Sequence, residues 1–354
     1  MDRYLHKYYK QHHSLGSKDR KFLTELIYHL FKWKGFYDFF LEKPVTWEKR
    51  WQLYKKGGLS NQKHSLQLPP HIKVSFPSWL FKKISKQYGV VKAEEICYIL
   101  NEQAPTTVRI NPLCISREQL LDNWLSKGYN VEPTSFSPLG ITFLKKEPLF
   151  SFSEFKKGYF EVQDEGSQII AELIEVRAGG HILDFCAGSG GKTLAFAPLM
   201  EKKGQIYLHD IRLSALQEAK KRLKRAGVQN FQILPPHTMP CKKLFKKMDY
   251  VVLDVPCSGT GTFRRNPDLK WRLTEDAFKF YIEEQRKIFE NGLAYLKDSG
   301  KIVYITCSIL KEENEEQMQF FLKHFPVQIE KTLTLLPRSQ GNDGFFGAVL
   351  RKTN

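Results

Sequence analysis

Two cysteines follow apolar, β-branched segments at positions where the chain could use them for chemistry. Cys257 closes the segment Val-Val-Leu-Asp-Val-Pro-Cys, and Cys307 closes the segment Lys-Ile-Val-Tyr-Ile-Thr-Cys. Such segments are typical of strands buried in a parallel sheet, and open α/β sheets bind ligands at the carboxyl ends of their strands. Asp254 lies just before Cys257, and Lys192 lies in a glycine-rich segment after another predicted strand. We therefore expect two thiols, a carboxylate and an ammonium group at one sheet edge.

The glycine-rich segment, residues 184–193, reads Asp-Phe-Cys-Ala-Gly-Ser-Gly-Gly-Lys-Thr and allows three kinds of ligand site, besides a turn without a ligand. A phosphate-binding loop requires glycine where Cys186 stands, and a dinucleotide-binding loop requires glycine where Thr193 stands. An S-adenosylmethionine site requires a second acid after the next strand, to accept the ribose hydroxyls, and Asp210 meets this requirement. The predicted cofactor-binding residues are Cys186, Ala187, Gly188, Ser189, Gly190, Gly191, Lys192, Asp210 and Asp254.

A thiol beside a methyl donor predicts methylation at carbon 5 of a pyrimidine. That carbon is a weak nucleophile, but addition of a thiolate at carbon 6 raises its electron density. A proton given to ring N3 by Asp254 would assist this addition. We expect the Lys192 ammonium and a helix N-terminus to favour the thiolate form of these two cysteines, Cys257 and Cys307. One cysteine would be the nucleophile and the other would assist release, and their spacing alone does not order them.

Four motifs resemble those of the RNA cytosine-5 methyltransferases of the RsmB/Sun type. The segment that begins Asp254-Val-Pro-Cys-Ser-Gly-Thr-Gly resembles their Pro-Cys motif, and Thr306-Cys-Ser-Ile-Leu-Lys-Glu-Glu-Asn resembles their Thr-Cys motif. Gly158-Tyr-Phe-Glu-Val-Gln-Asp-Glu-Gly matches the start of their catalytic domain, and residues 184–193 resemble their cofactor loop. The resemblance implies that Cys307 attacks the base, that Cys257 aids release, and that S-adenosylmethionine is the cofactor.

The front of the chain resembles the bacterial ribosomal RNA branch of this family. Ser14-Leu-Gly-Ser-Lys-Asp-Arg and Thr107-Val-Arg-Ile-Asn-Pro carry this likeness. It implies 16S ribosomal RNA as the substrate, with transfer RNA as the alternative. Two departures stand out: Gly188-Ser189 replaces the usual Ala-Pro, and residues 234–237 (Leu-Pro-Pro-His) lack the acid usually found near the adenine. Adenine contact would then depend on backbone groups or on His237.

The charge balance points to a polyanionic partner. The chain has 55 Lys and Arg against 38 Asp and Glu, a formal net charge of +17, and 13% aromatic residues that can stack on bases. A basic and aromatic cluster after Cys257 is the predicted RNA contact, with a solvated basic turn as the alternative. It consists of Arg264, Arg265, Lys270, Trp271 and Arg272. Because the target base must leave its stack, we expect a loop or distorted helix as substrate.

The predicted fold class is α/β, with a Rossmann-like, doubly wound catalytic domain over residues 151–354. Apolar strands alternate with helical segments there, and two further strands close the sheet as an antiparallel edge. Residues 71–150 run strand, helix, strand, strand, which predicts a small, RRM-like α+β module that binds RNA. Residues 1–60 are predicted to be helical, with Ser17 as an N-cap, and the family resemblance makes them a remnant of a NusB-like RNA-binding domain. The predicted strands are 182–185, 205–210, 231–234, 250–254, 301–305, 332–337 and 344–350, and residues 57–70 are a predicted linker.

The six cysteines include no CxxC pair, which argues against a zinc framework and a disulfide scaffold and favours a reducing compartment. The N-terminus lacks an apolar signal core, and no run of about 18 apolar residues is present. We expect a cytoplasmic monomer that binds RNA and S-adenosylmethionine, without a membrane or a metal. A catalytically silent RNA-binding factor for ribosome assembly remains the alternative. A DNA methyltransferase fits less well, because those enzymes place the nucleophile on the Pro-Cys motif.

Overall fold

A computed structural model describes residues 1–57 and 68–353, apart from the side chains of residues 2 and 3. The predicted linker lies mostly outside the described residues. The α-helices are α1 (Asp2–Gln11), α2 (Ser17–Lys32), α3 (Lys34–Phe39), α4 (Trp47–Lys55), α5 (Pro70–Lys73), α6 (Ser78–Tyr88), α7 (Val90–Ile99), α8 (Arg117–Ser126), α9 (Ser153–Lys156), α10 (Glu165–Ala171), α11 (Gly191–Phe196), α12 (Leu213–Arg225), α13 (Leu269–Arg272), α14 (Glu275–Leu293) and α15 (Glu315–His324). The strands are β1 (Thr106–Ile110), β2 (Val131–Pro133), β3 (Gly140–Phe143), β4 (Phe160–Val162), β5 (His181–Asp184), β6 (Gln205–His209), β7 (Phe231–Leu234), β8 (Met248–Asp254), β9 (Leu296–Thr306), β10 (Val327–Leu335) and β11 (Phe345–Lys352).

The chain divides into two compact units. The helical unit comprises Met1–Gln103 and Thr262–Ala277, and the α/β unit comprises Ala104–Gly261 and Phe278–Asn354. The predicted domains were residues 1–60, 71–150 and 151–354, and neither unit begins or ends at these boundaries within the chain. Helices α5 to α7 pack within the helical unit, whereas the small sheet that follows them packs within the α/β unit. None of the described helices is both long and apolar enough to cross a bilayer.

The helical unit is built around a core of aromatic and aliphatic side chains. Phe36 and Tyr37 of α3 are fully buried, as are Leu80 and Ile84 of α6. The start of α2 differs by one residue from the prediction. Gly16 is the N-cap, its backbone N–H donates to Asp19 Oδ2 at 2.9 Å, and Ser17 is the first helical residue. The carboxylate of Asp19, at the third helical position, thus accepts from the amide of the N-cap residue.

The α/β unit is dominated by a seven-stranded sheet in the order β10-β11-β9-β8-β5-β6-β7. Strands β5 to β9 pair in parallel, and β10 and β11 add the predicted antiparallel edge. The central strands are apolar because helices cover both faces: Val251, Val252, Ile302 and Val303 are fully buried. This confirms the predicted doubly wound α/β fold.

A second sheet of four strands, in the order β2-β3-β1-β4, precedes the large one. All its pairs are antiparallel, and its core includes Val108, Ile110 and Trp124 of α8. Ser116 caps α8 as predicted: its Oγ accepts from Gln119 N–H at 3.1 Å, and Gln119 Oε1 accepts from Ser116 N–H at 3.2 Å. Strand β4 carries this sheet beyond the predicted boundary at residue 150.

Candidate active site

The site lies at the carboxyl ends of the parallel strands, the position at which open α/β sheets bind ligands. Strand β5 ends at Asp184, β8 ends at Asp254, and β9 ends at Thr306, directly before Cys307. Because these strands are parallel neighbours, the structure brings together the predicted acid, both cysteines and the cofactor loop. Asp210 follows β6 at the same edge.

The two cysteine sulfurs are in contact. Cys257 Sγ lies 3.4 Å from Cys307 Sγ, although they come from different loops. The hydrogen bond to Cys307, together with burial and the nearby Glu313 carboxylate, raises the pKa of the Cys257 thiol well above its ordinary value. The expectation that Lys192 favours the thiolate at Cys257 is therefore wrong. Cys257 is held as a thiol that can donate a hydrogen bond to the sulfur of Cys307.

Lys192 acts on the acid rather than on the thiol. Its Nζ lies 3.3 Å from Asp254 Oδ2 and donates to Ser167 Oγ at 2.9 Å. The lysine is only 5% exposed, whereas the Asp254 side chain is 35% exposed. The aromatic face of Phe345 lies 5.3 Å from Nζ. The buried lysine and the more open carboxylate form an ion pair at the sheet edge.

The loop between β5 and α11 is shaped to admit a ligand. Gly188 and Gly190 have φ values of +53° and +80°, which favour glycine, and a side chain on Gly191 would meet open space. Asp184 is fully buried: its Oδ2 accepts from Thr193 Oγ at 2.6 Å, and its Oδ1 has no hydrogen-bond partner among the described residues. Burial raises the pKa of Asp184 to about 7, with the Asp254 and Asp210 carboxylates adding to the effect. An unpartnered buried acceptor next to an open glycine cradle fits a cationic ligand.

The predicted ribose acid, Asp210, is already fully hydrogen-bonded. Gly188 N–H donates to its Oδ2 at 2.9 Å, and Arg212 donates to both oxygens. Burial raises the pKa of Asp210, but the hydrogen bonds from Arg212 and Gly188 outweigh burial and hold it below its ordinary value. The thiol of Cys186 has a pKa well above its ordinary value, because it is buried near Asp184, Asp254 and Asp210. His237, the predicted adenine contact, is exposed in a short turn after β7.

A buried carboxylate that was not singled out from the sequence connects the two cysteine loops. We call residues 255–260 the Pro-Cys turn and residues 306–310 the Thr-Cys turn. Glu313 is fully buried; its Oε1 accepts from Ser258 N–H at 2.8 Å, and its Oε2 accepts from Ser258 Oγ at 2.5 Å. Ser308 of the Thr-Cys turn lies 3.0 Å from Thr260 of the Pro-Cys turn, Oγ to Oγ1. The sequence does carry a signal for this network, a run of acidic and amide residues shortly after Cys307. Such a run is also common at the solvent-exposed start of a helix, so the sequence alone does not show that Glu313 is buried.

The predicted RNA-contact cluster belongs to the helical unit, and its members differ in exposure. Lys270 is 1% exposed, and its Nζ donates to Lys32 O at 2.7 Å and to Asn101 Oδ1 at 2.6 Å. Arg264 is also buried, Arg265 and Trp271 are half-buried, and Arg272 is exposed. Trp271 Nε1 donates to Phe31 O at 2.6 Å. Lys270 and Trp271 thus hold α13 within its unit, and Arg272 is the exposed member of the predicted cluster.

This sheet order, the glycine loop and the strand-end acids define the class of Rossmann-like methyltransferases, whose cofactor is S-adenosylmethionine. Residues 171–351 match the family described as 16S rRNA methyltransferase RsmB/F. Residues 76–149 match the ferredoxin-like domain of the RsmF/B-like methyltransferases. The chain belongs to the RsmB/F methyltransferase family.

Similar proteins agree with this assignment. The ribosomal RNA small subunit methyltransferase B of Photorhabdus laumondii is 34% identical over 291 residues, which cover 78% of this chain and 66% of that protein. The probable methyltransferase B of Bacillus subtilis is 30% identical, with the same coverage of both chains. The crystal structure of a methyltransferase homologue from Pyrococcus horikoshii is 26% identical, with a TM-score of 0.71 over 80% of this chain and 97% of that one. The match thus spans slightly less than two thirds of the curated relatives' length.

Proposed function

We propose that this chain transfers a methyl group from S-adenosylmethionine to carbon 5 of a cytosine in RNA, with 16S ribosomal RNA as the substrate. The observation that carries the proposal is the 3.4 Å contact between Cys257 and Cys307, beside the Lys192–Asp254 pair. Membership of the RsmB/F family supports the RNA substrate. RNA as partner, a monomeric state and a cytoplasmic location are parts of the same proposal.

The cofactor would be held by the loop after β5 and by the strand-end acids. Gly188, Gly190 and Gly191 leave room for it, the open acceptor of Asp184 attracts its positive charge, and Asp210 accepts its ribose hydroxyls. When bound, S-adenosylmethionine supplies the methyl group that carbon 5 receives. The adenine contact has no acid after β7, and the backbone of residues 234–237 or His237 takes that role.

The residues of this chain activate the base and release it. The Cys307 thiolate bonds to carbon 6, and the C5–C6 π electrons move towards C5 and N3. A proton passes from the Lys192 ammonium through the Asp254 carboxylate to N3. After methylation a water molecule accepts the C5 proton, its electron pair restores the C5–C6 double bond, and the bond between carbon 6 and Cys307 breaks. N3 then returns its proton to Asp254, which leaves the base neutral. Cys257, held as a thiol, donates a hydrogen bond to the departing sulfur and so assists release.

Trapping in cells tests this assignment. In the Cys257→Ala protein the Cys307 adduct should persist and run as a slow, ribonuclease-sensitive band on a denaturing gel. The band should disappear in Cys257→Ala/Cys307→Ala and persist in Cys257→Ala/Cys114→Ala, a matched control at an exposed cysteine. Sequencing the attached RNA identifies the substrate and distinguishes ribosomal from transfer RNA. A folded Cys257→Ala protein that binds cofactor but forms no adduct would contradict the assigned roles of the two cysteines.

The lack of an acid after β7 favours a second candidate, a silent RNA-binding assembly factor. Calorimetry with S-adenosylmethionine separates the two functions. Binding supports the methyltransferase, and the absence of binding at hundreds of micromolar would leave only the assembly role.

A further inference from the structure

An exposed aromatic ring lies beneath a guanidinium group in the α/β unit, and neither side chain has a role in the site described above. The Arg338 guanidinium carbon lies 4.6 Å from the centre of the Phe136 ring. Phe136 nevertheless remains 53% exposed, and Arg338 is exposed as well. An exposed aromatic residue is unremarkable by itself. Its position and the way its loop is held make this pair informative.

Arg338 stands at the same sheet edge as the cysteines. It belongs to the loop of residues 336–344 between β10 and β11, and β11 begins beside the end of β9. Gly344 N–H donates to Gly261 O at 2.9 Å, and Gly261 N–H donates to Cys307 O at 2.9 Å. Two backbone hydrogen bonds therefore connect this loop to the proposed nucleophile.

Phe136 is presented by a loop that buried side chains hold in place. Its backbone N–H donates to Glu165 Oε1 at 2.6 Å, and Ser137 N–H donates to the same oxygen at 3.2 Å. Ser137 Oγ donates to Gln168 Oε1 at 2.7 Å. Glu165 and Gln168 are both buried on α10. The loop is thus rigid beneath an aromatic side chain that projects into solvent.

The same helix also holds the second loop and the proposed catalytic lysine. Asp164, the N-cap of α10, accepts from Asp343 N–H at 3.1 Å, and Asp343 lies in the Arg338 loop. Ser167, in the first turn of α10, accepts from Lys192 Nζ at 2.9 Å. The first turns of one short helix therefore fix Phe136, the Arg338 loop and Lys192 relative to one another.

We propose that Phe136 and Arg338 form a platform for an unpaired nucleotide next to the target cytosine. This inference rests on the proposed function, since a base that reaches Cys307 must leave its stack and expose its neighbours. Phe136 stacks on the neighbouring base, and the Arg338 guanidinium stacks beside it and contacts a phosphate. Aromatic and arginine planes are the groups that bind splayed-out RNA bases, and buried anchors remove the cost of ordering the two loops.

Binding of a fluorescein-labelled, single-stranded oligocytidine RNA, followed by anisotropy, tests the platform. Phe136→Ala should weaken binding about tenfold, and Phe136→Trp should restore it, because stacking depends on an aromatic ring. Arg338→Ala should lower the slope of log Kd against log salt by about one, the effect of one lost phosphate contact. Both variants should bind S-adenosylmethionine as tightly as the wild type, since neither residue touches the cofactor loop.

Matched controls separate the platform from general surface effects. Phe150 is 69% exposed in the α/β unit, and Arg177 is an exposed arginine just before the amino end of β5, at the opposite sheet edge. Phe150→Ala and Arg177→Ala should leave RNA binding unchanged. If Phe136→Ala and Arg338→Ala both methylate and bind RNA like the wild type, the platform is wrong but the proposed function stands. A wild-type protein that binds neither RNA nor cofactor would overturn the proposed function, and the platform with it.

Discussion

The guanidinium of Arg212 is hydrogen-bonded to both carboxylate oxygens of Asp210, the residue that we propose binds the cofactor ribose. Oδ1 accepts from Arg212 N–H at 2.8 Å and from Nε at 3.0 Å, whereas Oδ2 accepts from Gly188 N–H at 2.9 Å and from Arg212 Nη2 at 3.1 Å. A carboxylate has about four lone-pair positions, and all of these have donors. The two backbone amides are fixed by their turns. The ribose hydroxyls can bind only after the guanidinium has moved away.

Arg212→Ala should therefore bind S-adenosylmethionine about 1.5- to fivefold more tightly than the wild type, since an exposed ion pair contributes about 0.2–1 kcal/mol. The Arg212 side chain is 63% exposed, so its removal leaves no cavity. Isothermal titration calorimetry measures the change, and Arg177→Ala controls for the loss of one positive charge. Weaker binding by Arg212→Ala would show instead that the guanidinium contacts the bound cofactor.

Asp184→Asn should stabilise the cofactor-free protein while weakening cofactor binding. The folded-state pKa of about 7 lies above the ordinary value of 3.8, so the folded protein binds the Asp184 proton more tightly than the unfolded chain does. Relative to the variant, the wild type should lose stability as pH rises from about 4 through about 7, by about 4 kcal/mol at pH 8. Urea unfolding at pH 5 and pH 8 checks this dependence.

The same substitution removes the negative charge that we expect to attract the cationic cofactor. Calorimetry at pH 8 should show about tenfold weaker binding of S-adenosylmethionine. Thr193→Val should weaken binding in the same direction, because it removes the hydroxyl donor that lowers the pKa of Asp184 and so favours the protonated carboxyl. Equal stability of wild type and Asp184→Asn at both pH values would contradict the elevated pKa.

The elements around the site could be predicted because strand patterns are local. Asp184, Asp254 and Cys307 follow short β-branched segments, and parallel pairing then brings strand ends together. The burial of Lys270 and Glu313 could not be predicted in this way. Lys270 meets Lys32 and Asn101, and Glu313 meets Ser258, each from distant parts of the chain. A charged residue on a short helix or turn has the same local pattern whether it faces solvent or a buried acceptor.

Lys270→Ala should destabilise the protein by about 3 kcal/mol, because it leaves a cavity and two buried acceptors without their donor. Those acceptors are Lys32 O and Asn101 Oδ1, and Lys270 Nζ also lies 4.4 Å from the centre of the Phe76 ring. Chemical denaturation measures the change. Arg272→Ala, at an exposed position on the same helix, should change stability by less than about 0.5 kcal/mol. Equal stability of the two variants would contradict the structural role of Lys270.

Glu313 should act as a positioning residue for the two cysteines. Its carboxylate accepts from Ser258 N–H and Oγ and from Gln285 Nε2 at 3.0 Å, so it fixes the Pro-Cys turn. Its charge also contributes to the raised pKa of Cys257. In Glu313→Gln an amide NH₂ faces donors that need an acceptor, and we expect kcat to fall at least about tenfold, with little change in cofactor affinity.

The pH profile of Glu313→Gln separates this role from simple loss of stability. Without the buried negative charge the pKa of Cys257 should fall, so the alkaline limb of the kcat profile should move to lower pH. That limb reports deprotonation of the Cys257 thiol that we propose donates to the departing sulfur, and a destabilised but otherwise normal site would leave it in place. The neighbouring, half-exposed Glu312 gives the control: Glu312→Gln should retain the wild-type profile. If Glu313→Gln lowers kcat but leaves the alkaline limb in place, the Glu313 charge has no effect on the Cys257 pKa during catalysis. Glu313 would then have only a structural role.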